Sequence, residues 1–202
     1  MRYIKMLGLA AIAAAALMAF VGAGSASATE LTCNGVKCPV GTIIHAQTPA
    51  GTHATLHPPI GAIECNSTVE GTVTDAGSST TTVKGTITVL TFTPCTNGAV
   101  VTVLKKGTLE IHTASSGGGT GTVTSIGAEV TVQAFGFHCI FGTGAGVDIG
   151  TVTTNTTTPG DATLDIAATI PRTGGSSGVF CGSTAQWTGS YTSTKPTTLV
   201  VH

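Results

Sequence analysis

The sequence predicts an all-β fold: an antiparallel β-sandwich, Greek-key or jelly-roll-like, disulfide-bonded, and preceded by an N-terminal signal peptide. Three observations predict it. First, apolar and hydroxylic residues alternate with a period of two through much of the chain. In residues 181–192, Cys181, Ser183, Ala185, Trp187, Gly189 and Tyr191 fall on one face, opposite Thr184, Gln186, Thr188, Ser190 and Thr192. Second, no stretch of helical length after residue 28 shows helical spacing, and the abundance of Gly and β-branched residues makes a helix costly. Third, all six cysteines follow a segment with the form of an export signal.

That segment has three parts. Met1-Arg2-Tyr3-Ile4-Lys5 is basic, residues 6–23 are an Ala- and Leu-rich apolar run, and Ser25-Ala26-Ser27-Ala28 places small residues for cleavage before Thr29. Residues 1–28 are therefore expected to be a cleaved signal peptide, the alternative being a retained membrane anchor. The expected location is secreted and extracellular, with no membrane span in the mature chain. Residues 29–202 then form a single β-sandwich domain, long enough to bury a substantial core.

Charge is sparse. Leaving out Arg2 and Lys5 gives six cations against nine anions, a formal charge of −3, and Thr, Ser and Gly supply the polarity instead. Such a balance offers no electrostatic basis for binding nucleic acid or an anionic membrane.

An even set of cysteines in an exported chain reads as disulfides, here Cys33, Cys38, Cys65, Cys95, Cys139 and Cys181. Neighbouring pairs are expected: Cys33–Cys38, Cys65–Cys95 and Cys139–Cys181. The second follows from a hairpin, since Cys65 precedes its first strand and Cys95 follows its second. Zinc is the alternative, but no Cys-x-x-Cys pair is present.

Taken in order, residues 29–39 form a small disulfide-closed lead-in with an Asn34-Gly35 turn. Residues 42–47 and 52–57 are short strands interrupted by Pro49-Ala50-Gly51 and stopped by Pro58-Pro59, so an edge or a loop excursion is expected. The strongest alternation follows. Val69, Gly71 and Val73 share a face, then Val83, Gly85, Ile87 and Val89 share one, while Leu90 and Phe92 fall on the other parity. A change of parity inside an apolar run predicts a β-bulge near Val89 and Leu90. Residues 99–104 and 108–113 make a hairpin about Lys105-Lys106-Gly107, with Leu109 and Ile111 inward. Beyond a connector at 115–119, strands are expected at 120–126, through Val130 and Val132, along an aromatic face of Phe135, Phe137, Cys139 and Phe141, and at 147–153. After a polar turn at 155–161, Ala162, Leu164, Ile166, Ala168 and Ile170 alternate with Thr163, Asp165, Ala167 and Thr169. A turn at 174–178 leads into the strand of Trp187, and residues 197–201 close the domain.

Candidate chemistry is thin. Gly174-Gly175-Ser176-Ser177-Gly178 matches a hydrolase nucleophile pattern, but that pattern needs a helix after the Ser and a strand is expected here. Gly142-Thr143-Gly144-Ala145-Gly146 resembles a phosphate-cradling loop, without the Lys or the helix such a loop uses. His45, His53 and His57 are the most clustered ionisable residues and the candidate metal ligands, with Glu64 the nearest acid in sequence; exposed edge histidines are the plainer reading. Asp161 and Asp165 read as solvated carboxylates and His138 as a surface residue. Asn66-Ser67-Thr68 and Asn155-Thr156-Thr157 fit a glycosylation pattern.

From Cys65-Asn66-Ser67-Thr68, through 162–171, to Cys181, Trp187 and Tyr191, the chain resembles uncharacterised secreted proteins of high-GC actinobacteria. The strand ending at Tyr191 is also weakly similar to the end of exported bacterial proteins called alkane-oxidation activators. Neither resemblance brings an activity.

The expectation is a secreted, non-enzymatic structural, adhesive or extracellular-matrix protein, with no cofactor, whose partners would be its own copies or cell-surface polymers. The first alternative is an extracellular module binding a lipid, hydrocarbon or carbohydrate through Phe135, Phe137, Phe141, Trp187 and Tyr191. The second is a metal-dependent hydrolase built on His45, His53 and His57.

Overall fold

The computed structural model describes residues 29–59, 61–113, 118–154, 162–176 and 178–202. The expected signal segment 1–28, most of the 115–119 connector and the turn at 155–161, with Asp161 and Asn155, lie outside the described residues.

Two long strands, β5 (Ile63–Ser78) and β6 (Val83–Cys95), are the hairpin that alternation marks out, and Cys65 stands opposite Cys95 at its open end. The pairing then passes from β6 to β8 (Thr108–Thr113), β9 (Thr120–Ile126), β12 (Val147–Thr153), β13 (Thr163–Gly175) and β14 (Thr184–Lys195), each antiparallel to the last. Two short strands, β3 (Ile43–Gln47) and β4 (Ala54–His57), pair with β14 on one side and β5 on the other. The sandwich is therefore a closed one: its layers join edge to edge in a ring, with β3 and β4 as one interrupted stave, eight staves among the described residues.

This corrects the expectation for residues 42–57. Pro49 and Pro58 do not mark an edge. Pro49 lies in the connection between β3 and β4 and Pro58 follows β4, while the strands on either side of Pro49 fill the position that shuts the ring. Thr48 joins that connection to the wall, its N–H donating to the Ser67 carbonyl at 3.0 Å.

The bulge is present and sits one residue before Val89. Gly71 is opposite Ile87 and Glu70 opposite Val89, so Thr88 is the extra residue. Val89 is consequently exposed, outside the face it was expected to share with Ile87, and Leu90 and Phe92 turn inward in its place.

The lead-in packs across one end of the ring. β1 (Thr29–Cys33) pairs with β2 (Val36–Lys37), with the far end of β5 and with β15 (Leu199–Val201), so that Leu31 and Val201 are wholly buried there. Over the other end lies a flap. β7 (Val100–Lys105) pairs with β10 (Glu129–Ala134), β10 with β11 (Phe137–Gly142), and β11 with the last residues of β13.

The three disulfides are Cys33–Cys38, Cys65–Cys95 and Cys139–Cys181. Cys181 does not open the strand of Trp187 as expected. It ends a one-turn helix, α1 (Gly178–Cys181), that precedes β14 and brings its sulfur to Cys139 on the flap.

The aromatic row splits for a local reason. Ala134 and Phe137 are paired across a two-residue turn in which Phe135 and Gly136 have φ of 54° and 81°, the backbone of a type I′ hairpin. Phe135 is therefore an exposed turn residue, while Cys139 and Phe141 are buried.

Candidate functional site

The side chains that alternation directs inward do not fill the ring. Two apolar chambers remain, of about 90 Å³ under the flap and about 120 Å³ toward the terminal strands. Both are of the order of the ~150 Å³ apolar cavity that stays dry and accepts benzene in another protein. Val69, Ile87, Leu109, Leu164 and Tyr191 line both, and so form the partition between them.

The flap chamber is the aromatic one. Phe92 and Trp187 meet edge to face within its wall, ring centres 6.4 Å apart at 69°, the arrangement ring quadrupoles favour. Phe141 comes down from β11, beside Val130 and Val132 of β10, and Leu56, Ile63 and Ile170 complete the apolar lining. Thr88 makes this wall: the parity it shifts is what turns Leu90 and Phe92 toward the chamber.

Beside the chamber, among the described residues, β6 and β7 meet along an unpaired seam. β6 pairs with β8 only at residues 83–86, and β7 pairs only with β10 among the described residues. Leu90, Phe92 and Val101, on these two strands and each paired on one side only, line the chamber and are partly exposed. Val89, Val100 and Leu104 stand exposed on the same two strands. Two disulfides hold the parts around this seam: Cys65–Cys95 ties β6 to β5, and Cys139–Cys181 ties the flap to the approach of β14.

Polar groups in the walls are few and engaged. The Tyr191 hydroxyl donates to Ser67 Oγ at 2.9 Å, and Ser67 Oγ donates to the Thr91 carbonyl at 2.9 Å. Burial pushes the Tyr191 phenol up to about 12, with the Ser67 hydrogen bond acting in the opposite direction. Thr143 accepts from the Ala128 N–H at 3.0 Å. Among the described residues no buried side-chain nitrogen or oxygen lacks a partner. Glu129 is the ionisable carboxylate of the flap-chamber lining; it pairs with Lys105 at 3.6 Å and accepts from Thr173 Oγ1 at 3.4 Å.

Of the five aromatic residues singled out from sequence, Phe141, Trp187 and Tyr191 line the flap chamber and Phe135 and Phe137 are absent from its lining. Phe137 instead stacks on Phe180 of α1, centres 3.9 Å apart. Sequence reasoning missed Phe92 as a site residue, although the parity change it drew from Leu90 and Phe92 was the signal.

The candidate metal ligands are not brought together. His45 Nδ1 is 2.6 Å from Thr194 Oγ1, His53 Nδ1 is 3.0 Å from Asn66 Oδ1, and His57 stands opposite Gln186. No three His, Cys, Asp or Glu side chains among the described residues are grouped to hold a metal. In β4 the side chains of Thr55 and His57 share one face and Glu64 stands opposite Thr55, on the neighbouring strand.

The serine pattern lacks its catalytic setting. A helix does follow, contrary to expectation, but it is a single turn, and Ser176 Oγ accepts from the His138 backbone N–H at 3.1 Å. The Gly-rich loop at 142–146 carries the chain from the flap to β12, with the Thr143 side chain turned inside. Asp165 is exposed on β13.

No helix among the described residues is long and apolar enough to cross a membrane. Comparison of the chain with protein families, with curated proteins and with solved structures finds no match.

Proposed function

We propose that this is a secreted, non-enzymatic binding protein that holds a small apolar molecule in the chamber beneath its flap. The observation that carries this reading is the unfilled aromatic chamber walled by Phe92, Phe141 and Trp187. A domain whose role is only structural gains stability by filling its interior to the density usual in proteins. An interior with two apolar chambers forgoes that packing, and a ligand supplies it. The lining favours the hydrocarbon end of the expected ligand range over carbohydrate, because a sugar's hydroxyls need partners and the wall's polar groups are already bonded. Three disulfides agree with an oxidising compartment, hence the extracellular assignment.

Trp187 is the one tryptophan in the chain and lies in the chamber wall, so its emission reports occupancy. Titration with toluene and cyclohexane is expected to shift that emission and to raise the melting temperature by several degrees at saturation, since ligand at ~100 times Kd stabilises by about 2.7 kcal/mol. Unchanged emission and unchanged melting across both, with the protein folded, would overturn the reading.

The adhesive reading keeps one observation of its own: Thr184, Gln186 and Thr188 form an exposed hydroxylic row on β14, beside Thr169 on β13. It predicts retention of the protein on cell-wall polymers that is lost when these residues are replaced by Lys.

A further inference from the structure

We infer that the flap chamber selects neutral apolar molecules and rejects carboxylates, with Glu129 as the group that enforces the choice; this rests on the binding role proposed above. The first argument is what the wall contains. Among the described residues lining the chamber no cation is present, and Glu129 and Tyr191 are its ionisable side chains. A carboxylate entering would give up hydration without meeting a counter-charge, a cost far larger than any apolar contact returns.

The second argument is how Glu129 is held. The β7–β10 register shifts between Glu129 and Val130, placing an irregularity where the flap meets the chamber. Such irregularities re-aim a side chain. Across the β10–β11 pair, Glu129 faces Gly142. A Cβ at Gly142 would lie 3.4 Å from Glu129 Cγ and 3.0 Å from the Ala128 carbonyl, so the absence of a side chain there makes room for the Glu129 stem. Lys105 and Thr173 fix the carboxylate from the outer side, and Lys105 is itself two-thirds exposed. The stem of Glu129 therefore lies in the chamber wall, with its carboxylate at the chamber's edge, paired to a lysine that is not part of the lining. A neutral guest meets apolar wall; an anionic one meets no counter-charge in the lining and a carboxylate at its edge.

The test uses three probes of one shape, toluene, benzyl alcohol and benzoate, read by Trp187 emission on the disulfide-intact protein at neutral pH. Toluene and benzyl alcohol are expected to bind, and benzoate at least about tenfold more weakly than benzyl alcohol. Glu129→Gln should narrow that gap, and Glu129→Lys should reverse it in favour of benzoate. Benzoate binding as tightly as benzyl alcohol to the native protein would overturn the selection while leaving the chamber a binding site. A gap that both variants leave unchanged would overturn the role of Glu129. Failure of all three probes would instead overturn the underlying binding role, and the selection with it.

Discussion

At the end covered by β1 and β15 the ring's interior is aliphatic, bounded by Leu31, Ile44, Val123, Val152 and Leu199; at the flap end it is aromatic, bounded by Phe92, Phe141 and Trp187. The same long strands run past both, and the same alternation points their side chains inward. The two ends differ in what closes them. The terminal strands are tied into the sheet, with β1 bonded to β15, β2 and β5 and both Leu31 and Val201 buried. The flap is made of strands that leave the ring between neighbouring staves, and its outermost strand, β7, is paired on one side only among the described residues. Strands set aside from the ring cover the flap chamber, and strands bonded into the sheet cover the terminal one. The proposed binding role is assigned to the flap end because its wall is the aromatic one.

Core truncation breaks the comparison most strongly. Phe141→Ala is expected to cost about 3–5 kcal/mol and Leu31→Ala about 2–5 kcal/mol. The two separate by readout: Phe141→Ala should change Trp187 emission and toluene affinity, while Leu31→Ala should enlarge only the terminal chamber and leave both alone. Equal effects of the two on Trp187 would mean that the partition does not divide the interior.

Next in size is the tether. Replacing Cys139 and Cys181 together by Ala is expected to lower stability by about 2–4 kcal/mol in urea unfolding, through the restored freedom of the unfolded chain. It should also raise quencher access to Trp187, because the flap loses its link to α1. Unchanged quenching alongside lowered stability would show that pairing with β13 alone holds the flap.

Tyr191 sharpens the partition. Its phenol ionises at about 12 in the folded protein against about 10 when unfolded. Between those values the unfolded chain has released a proton that the folded one keeps, so stability falls as pH rises from about 10 to about 12. The loss approaches roughly 2–3 kcal/mol. It should vanish from the pH dependence of Tyr191→Phe, a variant that itself costs about 1 kcal/mol through the hydrogen bond to Ser67. Phenolate absorbance appearing already at pH 10 in the folded protein would refute the burial.

The smallest effect is at the hairpin tip. Phe135→Asn is expected to stabilise by a few tenths to about 1 kcal/mol, because Asn tolerates positive φ and Phe does not. No change in toluene affinity should accompany it, since Phe135 stands outside the chamber.

Much of this architecture is legible in the residues. The hairpin of β5 and β6, its bulge, the neighbour pairing of the cysteines and the inward face of β14 all follow from local rules. Period two assigns faces, a parity change marks an extra residue, and a hairpin brings its flanks together. Errors arose where a partner distant in sequence decides, as for the hairpin expected of residues 99–104 and 108–113, whose strands pair instead with β10 and with β6 and β9, or where a residue stands in a turn it disfavours. Pro49 and Pro58 read as edge markers, because local chemistry cannot see that β5 and β14, over a hundred residues apart, stand one stave's width from each other. Phe135 read as strand, because its positive φ belongs to a turn that its aromatic side chain disfavours. The candidate site was legible only in pieces. Phe141, Trp187 and Tyr191 could be named as inward-facing, but whether inward faces meet and fill the space between them depends on ring closure.

By itself, then, the sequence determined that this chain is antiparallel β-structure stapled by neighbouring cysteines, since alternation and loop closure are properties of short stretches. Tertiary structure alone decided that the sheet closes on itself, that strands leave the ring to form a flap, and that chambers remain inside. Those depend on the number of staves and on which covering strands are paired, and neither is written in any local pattern.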